Sequence, residues 1–154
     1  MNLSDIVTAD AVAVDISAAS RRMVLDRAAG LIAASADVEA ETVLAALLER
    51  EKLGTTGFGG GTAIPHGRIP GLSGVHGAIV RLSSPVDWDS VDALPVDLVV
   101  ALAGPAERGA ENLKALALVS RALRDKPMMA KLRGCSDAAA LWALVANRND
   151  RAAA

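Results

Sequence analysis

Apolar residues recur along this chain at two spacings, every third or fourth position in some stretches and almost every position in others, and the two patterns divide it into helices and strands. Val24, Ala28, Leu31 and Ile32 share one face of a helix over residues 20–35, with Ser20 placed to cap it. A second helix over 38–52 has Val43, Leu44, Leu47 and Leu48 as its apolar positions and Glu39, Glu41, Glu49, Arg50 and Lys52 as its charges. Its acids come early and its bases late, as the helix dipole favours, and Gly54 supplies a stop. Residues 76–83 read as a strand, and the nearly continuous apolar run 96–103 as an inner strand covered on both faces. Shorter strands are predicted at 62–64 and 11–14. Helices resume over 110–124, where Leu113, Leu116, Val119 and Leu123 form one face, then over 128–132. The last helix spans 136–146, with Ser136 as cap and Leu141, Leu144 and Val145 inward. Helices before, between and after strands predict an α/β fold, a single domain with a mixed central sheet covered by helices on both faces. That domain takes residues 1–150, and residues 151–154 read as a frayed tail.

Composition narrows the class. The 154 residues are 52% hydrophobic but only 2% aromatic, so the core is one of Leu, Val, Ile and Ala. Sixteen basic and eighteen acidic residues give a net charge of −2, which offers no broad basic field for nucleic acid and no basic face for an anionic membrane. Cys135 is the single cysteine, which excludes an internal disulfide and a cysteine metal cluster. The first 20 residues carry Asp5, Asp10 and Asp15 and lack the basic start and apolar run of a secretory signal. The apolar stretches 98–103 and 138–146 fall far short of the roughly 18 residues that a spanning helix needs. The expectation is a cytoplasmic protein.

Candidate chemistry gathers in residues 54–71, GTTGFGGGTAIPHGRIPG, where seven glycines and two prolines surround one histidine. Glycine at this density implies positive φ or close backbone approach, and exposed amides in such loops form anion-binding hollows. No Gly-Lys pair exists for a Walker A loop, and Thr62 stands where G-x-G-x-x-G requires its last glycine. The segment therefore has two readings, a plain glycine loop joining helix to sheet or the frame of a site. His66 favours the second. Pro65 fixes its own φ and holds Ile64 extended, while Gly67 leaves the next position sterically open, so the imidazole is presented at a strand end. One nitrogen of a neutral imidazole can attack phosphorus while an acceptor holds the other.

Residues 50–68, REKLGTTGFGGGTAIPHGR, closely resemble the active-site signature of the enzyme IIA domains of the fructose/mannitol class in the phosphoenolpyruvate-dependent phosphotransferase system. The similarity continues through PVDLVVAL at 95–102 and LALVSRAL at 116–123. The resemblance implies an enzyme IIA fructose/mannitol-like fold and a phosphoryl group accepted on Nε2 of His66. Arg50 matches the family's arginine at the end of the preceding helix. Its guanidinium would pair with a phosphohistidine carrying about two negative charges; without the resemblance it reads as a solvated helix-end charge. Many members carry a second histidine at the start of the helix after the apolar strand. Asn112 stands there, able to donate to a phosphoryl oxygen or orient the ring but not to titrate. Thr55 and Thr56 read either as phosphate donors or as loop hydrogen-bonders, and Gly67 as part of the phosphate-orienting frame. His76 reads as structural, and Trp88 as packing at a sheet edge or at the rim of the site.

The L-G-T-T-G-x-G-x-G-x-A-I-P-H-G run together with VSRALRDK resembles the nitrogen-regulatory branch more than the sugar-transport branch. That implies a phosphohistidine donor similar to HPr and regulatory protein targets, kinases or transporters among them, with no nucleic acid and no membrane insertion. No cofactor or metal is implied, because the phosphoramidate donor is already activated. Phe58 and Ile69 are the expected apolar anchors for docking. Two other readings remain: a sugar-type IIA that passes its phosphoryl group to a IIB protein, and a binding module without chemistry.

Overall fold

Helix and strand alternate much as the two periodicities require. In the computed structural model, which describes residues 1–148, the chain runs β1 (Val7–Ile16), α1 (Arg21–Ala36), α2 (Ala40–Lys52), β2 (Gly57–Gly59), β3 (Thr62–Ala63), β4 (His66–Ile69), β5 (His76–Val86), β6 (Val96–Pro105), α3 (Gly109–Arg124), α4 (Lys126–Gly134) and α5 (Ala138–Asn147). The tail 151–154 lies outside the described residues. The sheet is mixed, in the order β1-β5-β6-β3-β2, with β4 also paired to β6. β5 and β6 run antiparallel, whereas β1 is parallel to β5 and both β3 and β4 are parallel to β6.

Alternation along β5 shows why both faces are covered. The His76 ring meets Ser35 Oγ of α1 at 3.3 Å. Five residues on, and so on the opposite face, Arg81 donates to the carbonyls of Leu132 in α4 and Cys135 at 3.0 and 2.6 Å. The fold anticipated from the sequence, a mixed sheet between helical layers, is the fold observed. No helix among the described residues is long and apolar enough to cross a membrane.

Four local expectations need correction. β1 is ten residues rather than four; its acids interrupt the apolar alternation, and its register against β5 is irregular. The cap of α5 is Asp137, which accepts from the Ala140 amide at 2.8 Å, not Ser136. The glycine run holds a short strand, β2, that no hydrophobic pattern could announce. The apolar face of α3 is divided: Leu118, Val119, Ala122 and Leu123 enter the core, while Leu113 is 63% exposed and Leu116 only half-buried. Ser20 caps α1 as expected, accepting from the Met23 amide at 3.3 Å.

The core holds Val24, Leu25, Ile32, Val43 and Leu47 from the first helical layer against Val99 and Ala101 of β6, with Leu98 on the opposite face. Leu47→Ala would leave a cavity at a side chain with no solvent exposure, and should cost about 2–5 kcal/mol in urea unfolding with the m-value unchanged.

Candidate functional site

The run 62–69 would be one continuous strand along the edge of β6 if Pro65 had an amide proton. Thr62 and Ala63 pair with Leu98 and Val99, and His66 to Ile69 pair with Leu102 to Pro105. Between them Pro65 gives β6 only its carbonyl, which accepts from the Leu102 amide at 2.9 Å. The ladder is interrupted at this point although its register is kept, and the carbonyl of Ile64 accepts from Nδ1 of His66 at 2.8 Å. A carbonyl oxygen can only accept, which assigns the ring proton to Nδ1 and leaves the lone pair of the neutral ring on Nε2. The ring is half-buried.

His66 lines a cavity of about 540 Å³ between the C-terminal half of α2 and the N-terminal half of α3. Gly67 lets the helix close over β4, since a Cβ there would stand 2.8 Å from that of Ala46 and 2.9 Å from the Ala46 backbone. Gly104 does the same for α3, as a side chain there would overlap the amide of Asn112. Arg50, Arg68, Asn112, Leu53 and Leu113 share the cavity with His66.

Of the residues singled out from sequence, His66, Arg50, Gly67 and Asn112 come together in this cavity. One guanidinium nitrogen of Arg50 donates to the Gly54 carbonyl at 2.8 Å, which ties the end of α2 to the glycine loop. The Nδ2 of Asn112 donates to the Pro105 carbonyl at 2.8 Å, so one of its amide protons is already engaged. Thr55 and Thr56 line a second, smaller hollow with Arg50 and His66. The Thr55 hydroxyl donates to the Trp88 carbonyl at 2.6 Å and accepts from the Gly57 amide at 3.0 Å. The Thr56 hydroxyl, buried, donates to Glu51 and accepts from the Trp88 indole N–H at 3.2 Å. Both hydroxyls are occupied within the loop, which is the other of the two readings open for them.

Three of the loop amides are likewise engaged, Thr56 N with Glu51, Gly57 N with Thr55 and Gly60 N with Asp92. The positive charges lining the cavity are the guanidinium groups of Arg50 and Arg68. The docking anchors also change: Ile69 is buried, and Phe58 lies under Arg124, its ring centroid 5.4 Å from the guanidinium carbon. The exposed apolar residues beside the cavity are instead Leu53, at 84%, and Leu113.

Two residues that the sequence reading passed over complete the site. Glu51 has a side chain only 5% exposed; it accepts from Thr56, from the indole of buried Trp88 and from Arg21, and so fixes the glycine loop to α1 and to the segment after β5. Its position was a signal, because a carboxylate in the last turn of a helix opposes the dipole and needs other partners. Arg68 stands two residues after His66 on β4, hence on the same face, and reaches toward Gly109 at the start of α3. Among the described residues it makes no hydrogen bond or ion pair, and strand alternation alone would have placed it beside His66. No group of three or more His, Cys, Asp or Glu suited to a metal ion occurs among the described residues.

The model of the family described as "Phosphoenolpyruvate-dependent sugar phosphotransferase system, EIIA 2" matches residues 5–148. A nitrogen regulatory protein of Bradyrhizobium diazoefficiens is 40% identical over 146 residues, covering 95% of each chain. The crystal structure of the nitrogen regulatory protein IIA-Ntr from Neisseria meningitidis superposes with a TM-score of 0.86 at 30% identity, over 93% of this chain and 98% of that one. The Escherichia coli mannitol IIA shares the fold, with a TM-score of 0.75 at 21% identity over 89% of this chain and 96% of that one.

Glu51→Gln should expose the importance of this loop anchor. Glutamine offers one acceptor where the site presents four donors, so stability should fall by about 1–3 kcal/mol. The Trp88 indole N–H resonance should shift in the same variant.

Proposed function

The chain belongs to the phosphoenolpyruvate-dependent sugar phosphotransferase system EIIA 2 family, and within it we propose a phosphocarrier that takes a phosphoryl group on Nε2 of His66 from an HPr-like carrier and acts through protein partners in nitrogen and metabolic regulation. The observation that carries this reading is the hydrogen bond from Nδ1 of His66 to the Ile64 carbonyl, which leaves Nε2 as the nucleophile. The regulatory branch is supported by the names of the relatives most similar over nearly the whole chain.

In the proposed step the Nε2 lone pair attacks phosphorus in line. The P–N bond of the donor's phosphohistidine breaks, its electron pair returns to the donor nitrogen, and a new P–Nε2 bond forms. The proton stays on Nδ1, hydrogen-bonded to the Ile64 carbonyl, which stabilises the positive charge that grows on the ring. Arg50 and Arg68, from opposite sides of the cavity, face the spread negative charge of the phosphoryl oxygens, and guanidinium geometry suits such a group. Asn112 offers its remaining amide proton. Leu53 and Leu113 give the donor an apolar rim to dock against. Phosphorylation then places about two negative charges on that same rim, which changes which partners can bind there.

The test is phosphorylation with phosphoenolpyruvate, enzyme I and an HPr-like carrier, read by intact mass. Wild type should gain one phosphate and His66→Ala none. Arg50→Ala should transfer about 10²-fold more slowly, and Arg68→Ala should also be slowed. A wild type that gains no mass overturns the phosphocarrier reading. Efficient onward transfer to a fructose-type IIB protein would overturn the regulatory branch in favour of sugar uptake.

A further inference from the structure

Away from the His66 cavity, Phe58 walls a groove of about 850 Å³ closed on its other side by Leu123, Arg124, Lys126, Met129 and Arg133 of α3 and α4. Its lining is apolar at Phe58, Leu123 and Met129 and basic at its rim. Arg133 is held by Asp97 at 2.9 Å and by the Gly60 carbonyl at 2.7 Å. Arg124 lies over Phe58, and neither Arg124 nor Lys126 makes a hydrogen bond or ion pair among the described residues. In a chain with a net charge of −2, this is a local excess of positive charge.

The loop 87–95, between β5 and β6, has the opposite chemistry and lies alongside. Asp92 accepts from the amides of Gly60, at 2.8 Å, and Leu94, at 3.1 Å, and the first of these bonds joins the loop to the groove's own wall. The same two bonds hold the Asp92 carboxyl below the usual carboxylate range, so it stays charged well into acid. Asp87 adds a second exposed carboxylate. Asp89, also exposed, is turned toward Arg21 at 3.8 Å; Val91, just before Asp92, is 95% exposed and Leu94, just after it, 50% exposed. An acidic tip with apolar side chains in water thus stands beside an apolar groove rimmed by unpaired cations. A two-fold symmetric interface requires complementary features side by side on one patch, so that each copy supplies what the other lacks.

We infer that this face pairs with a second copy of the chain, the Val91–Leu94 tip of each copy entering the other's groove with its carboxylates against Arg124 and Lys126. The patch is small, which makes the association a weak and reversible one of the transient class. His66 takes no part in it, so the pairing stands or falls apart from the phosphocarrier reading.

Sedimentation equilibrium of the full chain from low micromolar to millimolar concentration tests it. The expected result is a rise from monomer to dimer mass with a dissociation constant on the order of 0.1 mM. High salt should weaken it, since screening shortens the reach of exposed charges. Val91→Glu and Lys126→Glu, both at exposed positions, should each weaken it at least tenfold with unchanged melting temperatures. A wild type that remains monomeric at millimolar concentration overturns the inference, whatever else the groove binds. So does a dimer indifferent to both substitutions.

Discussion

The site depends on one missing proton. Pro65 has no amide hydrogen, so the ladder along the edge of β6 cannot run unbroken from Thr62 to Ile69 and falls into two short pieces in one register. At that break β4 starts at His66, and the Ile64 carbonyl meets the imidazole. Ring orientation and tautomer follow from this one contact. β6, buried along nearly its whole length, provides the fixed frame against which the break is held.

Around it the protein supplies two walls of different character. α2 closes over Gly67 and brings Arg50 down to the glycine loop, while α3 closes over Gly104 and brings Asn112 and Leu113. The loop itself is rigid for a run so rich in glycine. Glu51 gathers Thr56, Trp88 and Arg21 on one carboxylate, so a segment that could have wandered is tied to two other parts of the fold. Such a network works because every donor meets an acceptor; a partly satisfied one would destabilise the core it sits in.

Much of this was legible in the sequence. Apolar spacing marked all five α-helices to within about two residues and two of the three long strands, β5 and β6, because those elements bury apolar faces. The presentation of His66 followed from its proline and glycine neighbours. What escaped notice depended on contacts distant in sequence. The partners of the Thr55 and Thr56 hydroxyls are Trp88 and Glu51, and nothing local to Gly54–Gly61 indicates them. β2 has no hydrophobic alternation to reveal it. The apolar stripe of α3 read as one inward face, yet Leu113 and Leu116 in its N-terminal half line the cavity instead of entering the core. Arg68 was within reach of strand alternation but was hidden by the stronger signal of the residue two places before it.

The sheet's outer strands carry a consequence for recognition of every kind. β2 has three residues and β4 four, and β1, though longer, pairs irregularly and carries Asp10 and Asp15. None offers the long, flat, uncharged border on which a foreign strand could extend the ladder. Main-chain zippering is thus disfavoured in this molecule, both as a route to fibrils and as a means of capturing a ligand. Recognition falls to side chains, whose meaning a single substitution or a single phosphate can rewrite.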